Sequence, residues 1–488
     1  MKSVALHNLG CKVNAYELDF MQQMLLEKGY KIVPFDEAAD IYIVNTCTVT
    51  NIADRKSRQM LHRARNLNPD AVVVAVGCYV QTGQESLEAD GTVDLAIGNN
   101  KKGELAKILE EYLERRRQTA EQKNTDVSEH TATEEQGKTD AGKKRTEIHK
   151  IDIGRVTEYE ELTLRGTAGH TRAFLKIQDG CNQFCTYCII PYARGRIRSR
   201  KQEDVLTEAA QLVEAGYQEL VLTGIHLSSY GMDRGGTELL PLLRELSTLT
   251  GVERIRLGSL EPGIVTEEFA QELRSLPKVC PHFHLSLQSG SDAVLRRMNR
   301  RYNTAAYLEA VMQLREAYGN PAITTDVIVG FPGETDAEFR ETEEFLSRVG
   351  FYEMHIFKYS RRKGTPAADM PGQLTEAEKA ARSERLMKLE REMSRAFRET
   401  FLGKEVSVLF EERIEKDGVS WWIGHTPHYV KVACRDTSEG SFSMQNRILP
   451  CHITSFFSGG NSTRGEYPQE ILLGRISSGH FAGGDCEE

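Results

Sequence analysis

Short apolar runs alternate with amphipathic stretches through the first hundred residues of the chain. The apolar runs are rich in β-branched residues and have the length of buried strands: SVALHNLG, KIVPF, DIYIVNTC and AVVVAVGC. Between them, NAYELDFMQQMLLEKG and DRKSRQMLHRARNL carry apolar residues at helical spacing. Strands that alternate with helices pair in parallel, so the pattern predicts an open parallel α/β sheet domain over residues 1–117.

A second alternation of the same kind begins near residue 167. Six strand candidates follow one another with helical patterns between them: AFLKI, ELVLTG, RIRLGS, HFHLSLQ, ITTDVIVG and EMHIFKY. Six βα units in one block predict a partial (β/α)6 barrel, whose functional residues lie at the C-terminal ends of the strands. We assign this domain to residues 151–400, because a long charged helix pattern over 375–401 closes the block.

Two further stretches differ from both α/β blocks in their composition and hydrophobic pattern. Residues 118–150 contain no Phe, Trp or Tyr, and Val127 and Ile148 are their only larger aliphatic residues, so we predict a disordered linker. Beyond the long helix, EVSVLFEE, VSWWIGHT, YVKVACR and CHITSFF predict a small all-β barrel over 401–466. The last residues, 467–488, are predicted to form a tail.

Charge and hydropathy exclude several classes of protein. The net charge of −9 does not by itself favour nucleic-acid binding, and no apolar run reaches the length of a membrane span. The first residues, MKSVALHNLGC, lack the apolar core of a signal peptide, which also argues against lipoprotein-type cleavage before Cys11. We therefore expect a cytoplasmic protein that does not enter membranes.

Basic residues are nevertheless clustered in three places, where they could follow a phosphate backbone. Solvated helix faces are the alternative interpretation for each cluster. The clusters are Arg55, Lys56, Arg58, Arg63 and Arg65; Arg194, Arg196, Arg198, Arg200 and Lys201; and Arg296, Arg297, Arg300 and Arg301. The cluster at 194–201 is the first candidate for phosphate contact. Trp421, Trp422 and Tyr429 are candidates for stacking on bases, with core packing the alternative for at least one tryptophan.

Ten cysteines without a secretory signal indicate metal or catalytic use in a reducing compartment. Cys181, Cys185 and Cys188 lie together in DGCNQFCTYCIIP, directly after the first predicted barrel strand. Zinc would need a fourth ligand, and His226 is the nearest downstream histidine. An iron–sulfur cluster with one iron left open to a substrate or cofactor fits three thiols better.

Three other cysteines each end a predicted strand of the N-terminal domain: Cys11, Cys47 and Cys78. The carboxyl ends of parallel strands meet at one edge of a sheet, where ligands bind, so three thiols distant in sequence are expected to converge there. Buried apolar cysteines are the alternative interpretation. The remaining four are interpreted as structural or incidental: Cys280, Cys434, Cys451 and Cys486.

The Cys-x3-Cys-x2-Cys spacing, with Tyr187 before the third cysteine, resembles the radical S-adenosylmethionine (SAM) enzymes. With the three scattered cysteines and the β-domain, the chain resembles their methylthiotransferase family over about residues 1–465, excluding the linker. The β-domain resembles the TRAM domain, an RNA-binding barrel. The motifs that carry the resemblance are GCKVNAYE, NTCTVTNIAD, GCYVQ, GCNQFCTYCIIPYARGRIRSR, SLEP, SLQSGSDAVLRRMNRRY and DVIVGFPGET.

This resemblance implies an enzyme with two [4Fe–4S] clusters and two molecules of SAM. Cys181, Cys185 and Cys188 would hold the cluster that cleaves SAM reductively, and Cys11, Cys47 and Cys78 the cluster that carries the sulfur. The methylthio group would be added to carbon 2 of N6-threonylcarbamoyladenosine at position 37 of tRNA. Flavodoxin or ferredoxin would supply electrons to a monomeric enzyme. No catalytic acid or base is assigned.

The resemblance also implies a set of SAM-binding residues near the strand ends. For each of them, a packing or hydrogen-bonding role is the alternative. The set is Tyr187, Thr223, Gly224, Ser259, Glu261, Gln288, Ser289, Ile328, Gly330 and Glu334.

Three other functions remain as alternatives. Lys12-Val13-Asn14 after the first cysteine favours the threonylcarbamoyl branch, since isopentenyladenosine-directed relatives tend to read Gln-Met-Asn there. A third branch of the family modifies an aspartate of a ribosomal protein. An RNA-binding iron–sulfur redox sensor, without SAM chemistry, is the non-enzymatic alternative.

Overall fold

The computed structural model describes residues 1–129, 145–166, 171–436, 443–457 and 470–477. Within this part, the strands and helices are as follows. The strands are β1 Ser3–Asn8, β2 Lys31–Val33, β3 Ile41–Thr46, β4 Val72–Gly77, β5 Leu95–Ile97, β6 Glu147–His149, β7 Ala173–Lys176, β8 Gln178–Asp179, β9 Arg198–Ser199, β10 Glu219–Thr223, β11 Arg254–Leu257, β12 Ser259–Leu260, β13 His282–Leu285, β14 Ala322–Val329, β15 Glu353–Lys358, β16 Glu405–Lys416, β17 Val419–His425, β18 Lys431–Arg435, β19 Ile448–Phe457 and β20 Ile471–Ile476. The α-helices are α1 Lys12–Glu27, α2 Asn51–Leu67, α3 Cys78–Thr82, α4 Gln84–Asp90, α5 Leu105–Glu129, α6 Ile190–Arg194, α7 Gln202–Glu214, α8 Leu239–Thr248, α9 Glu267–Arg274, α10 Asp292–Arg297, α11 Thr304–Tyr318, α12 Asp336–Val349 and α13 Glu376–Glu399.

The chain divides into two compact units, and neither is one continuous stretch of sequence. The first unit contains Met1–Ala168, Gln178–Arg200 and Ser360–Thr365. The second unit contains the rest of the chain: Gly169–Ile177, Lys201–Tyr359 and Pro366–Glu488. The loop with Cys181, Cys185 and Cys188 therefore belongs to the same unit as Cys11, Cys47 and Cys78. A domain drawn as residues 151–400 does not correspond to this division.

A parallel sheet lies at the centre of the first unit, as predicted. Its described strands run in the order β2-β1-β3-β4-β5-β6. Every residue of β3 and β4 is buried, because apolar clusters cover both faces of the sheet. Central parallel strands of this kind read as continuous apolar runs rather than as alternating ones.

The predicted linker over 118–150 is wrong at both of its ends. Helix α5 continues to Glu129, since the Ala-, Glu- and Gln-containing sequence favours a helix even without an apolar stripe. After it, β6 pairs in parallel with β5, and Ile148 packs against the core of the first unit. Residues 130–144 lie outside the described part of the chain.

Parallel strands separated by helices form the first part of the second unit. The strands form two sheets, ordered β7-β10-β11 and β12-β13-β14-β15. Gly258 connects the last residue of β11, in the first sheet, to the first residue of β12, in the second. The βα succession expected from the sequence is confirmed. Helices α12 and α13 each begin with a capping box, in which Thr335 and Thr375 bond the third helical residue and are bonded by its side chain.

A closed barrel of the strands β16-β17-β18-β20-β19 follows in the same unit. It confirms the predicted all-β domain but extends beyond residue 466. Strand β20 pairs with both β18 and β19, so the prediction of a tail from 467 is wrong for Ile471–Ile476. A buried arginine pair on β11 binds this barrel: Arg254 donates to the His425 carbonyl at 2.9 Å, and Arg256 to the Pro427 carbonyl at 2.8 Å.

Candidate active site

Three cysteines of the first unit stand where neighbouring parallel strands end. Cys11 precedes α1, Cys47 follows β3, and Cys78 opens α3 directly after β4. The two flanking strands, β1 and β4, both pair with β3 in the middle. Gly10 has φ +110°, and a Cβ there would lie 3.1 Å from the Cys47 sulfur. The turn before Cys11 therefore needs glycine in order to approach Cys47 this closely.

The surroundings of Cys47 disfavour its thiolate. Burial and, to a smaller extent, the neighbouring thiols of Cys78 and Cys11 raise the pKa of Cys47 to about 12, although Arg194 opposes the rise. Several thiols in one place resist ionisation, because each thiolate disfavours the next. A bound metal centre reverses this, since coordination deprotonates the thiol.

The loop with the other three cysteines is shaped by backbone contacts. The Cys181 amide donates to the Gly195 carbonyl at 3.0 Å, and the Cys188 amide donates to the Cys185 carbonyl at 2.9 Å. The Gln183 amide points at the Cys181 sulfur at 3.4 Å, an N–H···S contact of the kind that tunes iron–sulfur ligands. Gly180 has φ +73°, and a Cβ there would lie 1.8 Å from the Arg196 carbonyl oxygen, so no other residue fits.

Four charged side chains form a buried ion cluster beside both cysteine sets: Glu17, Lys102, Asp179 and Arg194. The Arg194 guanidinium donates to Glu17 at 2.8 Å and to Asp179 at 3.0 Å. Lys102 donates to the second oxygen of Glu17. Arg194 is 1% exposed, so the prediction that it contacts phosphate is wrong; its charge is used inside the protein.

Two asparagines connect the buried ion cluster to the cysteine loops. Asn14 accepts from Arg194 at 2.6 Å and donates to the carbonyls of Leu9 and Thr46, which precede Cys11 and Cys47. Asn99 accepts from Lys102 at 2.9 Å. It donates to the Cys78 sulfur at 3.4 Å and to the Ala193 carbonyl at 2.7 Å.

Sequence reasoning missed these connecting residues as functional positions. Asn14 and Glu17 lie in GCKVNAYE and Asp179 adjoins GCNQFC, so the motifs around the cysteines contained the signal. Asn99 and Lys102 lie in no motif, and only the fold brings them to the site.

An arginine from far along the chain fixes the loop after Cys47. Arg362 donates to Thr48 at 2.7 Å, to Asn51 at 2.8 Å and to Asp54 at 2.6 Å. It lies in the segment Ser360–Thr365, which belongs to the first unit although the chain on either side belongs to the second. Its position gave no signal in the sequence.

The rest of the basic cluster at 194–201 is divided between interior and surface. Arg198 and Arg200 are buried, and Arg200 donates to Thr163 at 3.1 Å and to Glu161 at 3.3 Å. The prediction of phosphate contact is therefore also wrong for these two side chains. Arg196 and Lys201 are exposed and remain available for a polyanion.

Most residues predicted to bind SAM lie at strand ends of the second unit, whereas Tyr187 lies in the cysteine loop of the first. Thr223 ends β10 and is buried, Ser259 opens β12 and is exposed, and Ile328 lies near the end of β14. Gly224 follows β10 and is half-buried. The placements of Thr223, Gly224 and Ile328 agree with the general rule that barrel sites lie at the C-terminal ends of strands, whereas Ser259 lies at the start of its strand.

Three other members of the predicted SAM set already bond other protein groups. Glu261 accepts from Arg300 at 2.7 Å and pairs with His226 at 3.2 Å. Although burial opposes it, hydrogen bonding from His226 and the charge of Arg300 lower the pKa of Glu261.

The other two hold turns. Glu334 accepts from the Gly330 amide at 2.5 Å and from Arg382 at 2.7 Å, which fixes the turn after β14. Ser289 is buried beside Thr342, with 3.3 Å between the hydroxyls. These side chains shape the strand ends through bonds within the protein.

Gln288 has a backbone conformation that residues other than glycine rarely adopt. Its φ is +75°, and the strain is maintained by two backbone bonds: its amide donates to the Asp326 carbonyl, and the Ile328 amide donates to its own carbonyl, both at 2.9 Å. Strained residues of this kind concentrate at ligand sites.

Other side chains cover two of the three aromatic rings that were predicted to stack on bases. Trp422 is 5% exposed and lies in the core, and Trp421 packs on Phe457 with a centroid separation of 4.7 Å. Tyr429 is stacked between His282 and His425. The predicted stacking role is wrong for Trp422 and Tyr429, because other side chains cover their rings.

Comparisons with known proteins agree with this architecture. Residues 3–98 match the uncharacterised protein family UPF0004, and residues 175–346 match the radical SAM superfamily. The threonylcarbamoyladenosine tRNA methylthiotransferase MtaB of Bacillus subtilis is 40% identical over 441 residues, which are 90% of this chain and 92% of that protein. The chain belongs to the methylthiotransferase family of radical SAM enzymes.

Other members of the methylthiotransferase family and one solved structure extend the comparison. The tRNA-2-methylthio-N(6)-dimethylallyladenosine synthase of Moorella thermoacetica is 36% identical over 419 residues, 84% of this chain and 87% of that protein. The radical SAM methyltransferase TsrM of Kitasatospora setae superposes with a TM-score of 0.52 at 17% identity. That match covers 75% of this chain and 77% of TsrM, and it indicates a shared fold.

Among the described residues, none of the helices combines the length and the apolar content needed to cross a membrane.

Proposed function

We propose that this methylthiotransferase adds a methylthio group to carbon 2 of N6-threonylcarbamoyladenosine at position 37 of tRNA. It would use two [4Fe–4S] clusters and two molecules of SAM. The observation that carries the proposal is the presence of two sets of three cysteines in one unit, connected by the buried ion cluster. A set of three thiols leaves one iron of each cluster open.

The donor sets fit the two clusters chemically. Both are made of thiols, the preferred ligands of iron–sulfur clusters, and amide groups of Gln183 and Asn99 lie 3.4 Å from the sulfurs of Cys181 and Cys78. Cys11, Cys47 and Cys78 would hold one cluster, and Cys181, Cys185 and Cys188 the other. When bound, the clusters and SAM supply the reductive cleavage and the sulfur that is transferred.

The chain itself holds and orients these groups. The buried ion cluster fixes the loops that carry both cysteine sets, and the strained Gln288 and the bonded Glu334 shape the strand ends proposed for SAM. No side chain is assigned as a general acid or base. A reductant protein such as flavodoxin or ferredoxin would supply the electron, and we propose that the enzyme acts as a monomer.

A surface of the first unit supports tRNA as the partner. Arg196 lies over the ring of Phe184, 4.5 Å from its centroid, and Tyr192 packs edge-on against the same ring at 5.8 Å. The side chain of Tyr192 is 45% exposed. Exposed aromatic rings beside arginine bind single-stranded bases and their phosphates, and a tRNA anticodon loop offers both.

Two cysteine variants test the proposal. With the reconstituted holoenzyme, reductant and SAM, Cys185→Ala should abolish formation of 5′-deoxyadenosine, because the SAM-cleaving cluster loses a ligand. Cys47→Ala should retain deoxyadenosine formation, lose about four iron atoms per chain, and add no methylthio group to tRNA. Cys280→Ala, a buried cysteine outside both sets, is the matched control and should resemble the wild type.

The substrate is tested with tRNA that carries either threonylcarbamoyladenosine or isopentenyladenosine at position 37. Mass spectrometry of the digested nucleosides should show the methylthio product of the first only. If only the isopentenyl nucleoside gives a methylthio product, the enzyme belongs instead to the branch represented by the Moorella relative. Full methylthio transfer by Cys47→Ala would overturn the assignment of the second cluster.

A further inference from the structure

Two histidines and an aspartate converge in the second unit, on neighbouring strands of one sheet. His284 lies on β13, Asp326 on β14 and His355 on β15. Asp326 stands opposite His355 in the strand register, and His284 stands opposite Thr324. Because alternate residues of a strand share a face, Thr324 and Asp326 project on the same side of β14, and the donor atoms of the two histidines and Asp326 all lie within 4.8 Å of one another.

The separations between these donor atoms are close to the ligand–ligand distances around a zinc ion. His284 Nε2 lies 3.5 Å from one Asp326 oxygen, and His355 Nδ1 lies 3.3 Å from the other. Ligands about 2.1 Å from a zinc ion at tetrahedral angles are about 3.4 Å apart. Both separations are long for hydrogen bonds between a ring nitrogen and a carboxylate, and each is close to this ligand–ligand distance, with a different oxygen of Asp326 facing each histidine.

The surroundings of His284 orient it as a ligand. Its Nδ1 lies 3.1 Å from the Thr324 hydroxyl, which fixes the ring and leaves Nε2 directed at Asp326. Within the described part of the chain, buried Nε2 of His284 has no hydrogen-bond partner. A hydrogen bond at the far nitrogen and an unsatisfied near nitrogen are characteristic of a metal-ligating histidine.

Asp326 supplies the carboxylate of the set, and one of its two oxygens faces each histidine ring. Two neutral imidazoles and one carboxylate suit zinc and other first-row divalent cations.

We propose that His284, Asp326 and His355 bind a divalent cation of the zinc class, separate from the iron–sulfur clusters. The His355 side chain is 58% exposed, so the solvent side of the cation is open to an oxygen ligand, as in catalytic rather than structural zinc sites. Asp326 also shares its face of β14 with Ile328, about 7 Å further along the strand. The cation therefore lies on the strand face that carries a residue proposed for SAM. This site is independent of the proposed function, and either can fail alone.

The test measures zinc on the holoenzyme, after iron analysis has shown that both clusters are loaded. The protein is dialysed anaerobically against micromolar ZnCl2, and zinc per chain is determined by elemental analysis. Wild type should retain about one zinc per chain beyond its iron. His355→Ala should bind at least about tenfold more weakly, and Thr324→Val about 10- to 100-fold more weakly, because Thr324 orients His284.

His452→Ala is the matched control, because His452 is an exposed histidine of the same unit on β19. It should bind zinc as the wild type does, and all variants should keep the iron content of the wild type. The inference is wrong if wild type retains no zinc after dialysis, or if His355→Ala retains as much as wild type. Asp326→Asn, an isosteric change, should also lose binding, and retention of zinc by this variant contradicts the proposal.

Discussion

Arg194 illustrates how a single side chain can be interpreted in two opposite ways. In the sequence it stands in a basic run and suggests contact with phosphate. In the structure it is buried, and it satisfies two carboxylates and Asn14 within the first unit. Burial lowers the pKa of its guanidinium, but Asp179 and Glu17 outweigh this and raise the pKa well above its ordinary value. The positive charge of Arg194 therefore stabilises the loops that carry the cysteines.

Replacing Arg194 should therefore destabilise the cysteine sites. Arg194→Met leaves Glu17 and Asp179 with one buried cation, Lys102, in place of two, and breaking such a pair costs about 3–5 kcal/mol. We expect cluster absorbance to be lost at a lower urea concentration and iron content to fall. Arg196→Met, an exposed neighbour, is the control and should leave the urea midpoint unchanged. Equal midpoints for Arg194→Met and wild type would show that the cluster of charges is not stabilising.

At the scale of elements, strands β10 and β11 are joined by a buried acid. Glu219 accepts from Arg256 at 2.7 Å and lies 3.6 Å from Arg254. The two arginines in turn donate to carbonyls of the C-terminal barrel. Although burial opposes it, the charge and hydrogen bonding of Arg256 lower the pKa of Glu219 from 4.5 to about 2. The attachment of the barrel to the parallel strands thus depends on an ionised carboxylate.

Acid should weaken this attachment. Because the folded pKa is the lower one, the stabilisation is complete above about pH 4.5 and is lost as the pH falls toward 2, with a total of about 3 kcal/mol. Both tryptophans, Trp421 and Trp422, lie on β17, so tryptophan fluorescence reports the barrel. Glu219→Gln should lower the thermal midpoint at about pH 7, and the difference from wild type should narrow at about pH 3. Exposed Glu253→Gln should show no such pH dependence; a constant gap for Glu219→Gln would refute the linkage.

The elements that the sequence revealed are those with strong periodicity. The buried runs of β3 and β4, the βα succession of the second unit and helix α13 follow from hydrophobic pattern and length. Strands β5 and β6 have three residues each, too few to establish a period. Strand β6 also follows a stretch of polar composition, and it forms because β5 offers an unpaired edge rather than because its own residues demand a strand.

The candidate site was predictable to a similar degree. The cysteines could be found because chemistry restricts their type and spacing. Asn99, Lys102 and Arg362 could not, because their roles depend on tertiary contacts between residues up to 314 positions apart. A single sequence contains no information on such contacts. Most charged residues are exposed to solvent, so a buried charged residue cannot be recognised from the sequence alone.

At the scale of the whole molecule, the first unit is assembled from three separate stretches of chain. The segment Ser360–Thr365 contributes Arg362, and Ser360 also bonds the Asn51 amide at 3.0 Å. The loop that follows Cys47 is thus completed by residues more than 300 positions later. The set of Cys11, Cys47 and Cys78 is therefore sensitive to substitutions in a segment far from the N-terminal residues.

Arg362→Met should affect one cysteine set and spare the other. Loss of its bonds to Thr48, Asn51 and Asp54 loosens the loop after Cys47, so we expect lower iron content and weaker methylthio transfer. Formation of 5′-deoxyadenosine should continue, since Cys181, Cys185 and Cys188 lie on a different loop. Exposed Lys363→Met is the control. Loss of deoxyadenosine formation together with methylthio transfer would contradict this division.

Because the first unit is built from three stretches of chain, it cannot be completed until the last stretch, Ser360–Thr365, has been synthesised. At a synthesis rate of about 5–20 residues per second, Arg362 leaves the ribosome on the order of 10 to 35 s after the last of the six site cysteines. During that interval the nascent chain carries thiols whose loop contacts are unfinished. If Cys11, Cys47 and Cys78 hold a cluster, as proposed, we expect it to be loaded after translation, and these thiols would have to stay reduced until the segment with Arg362 arrives.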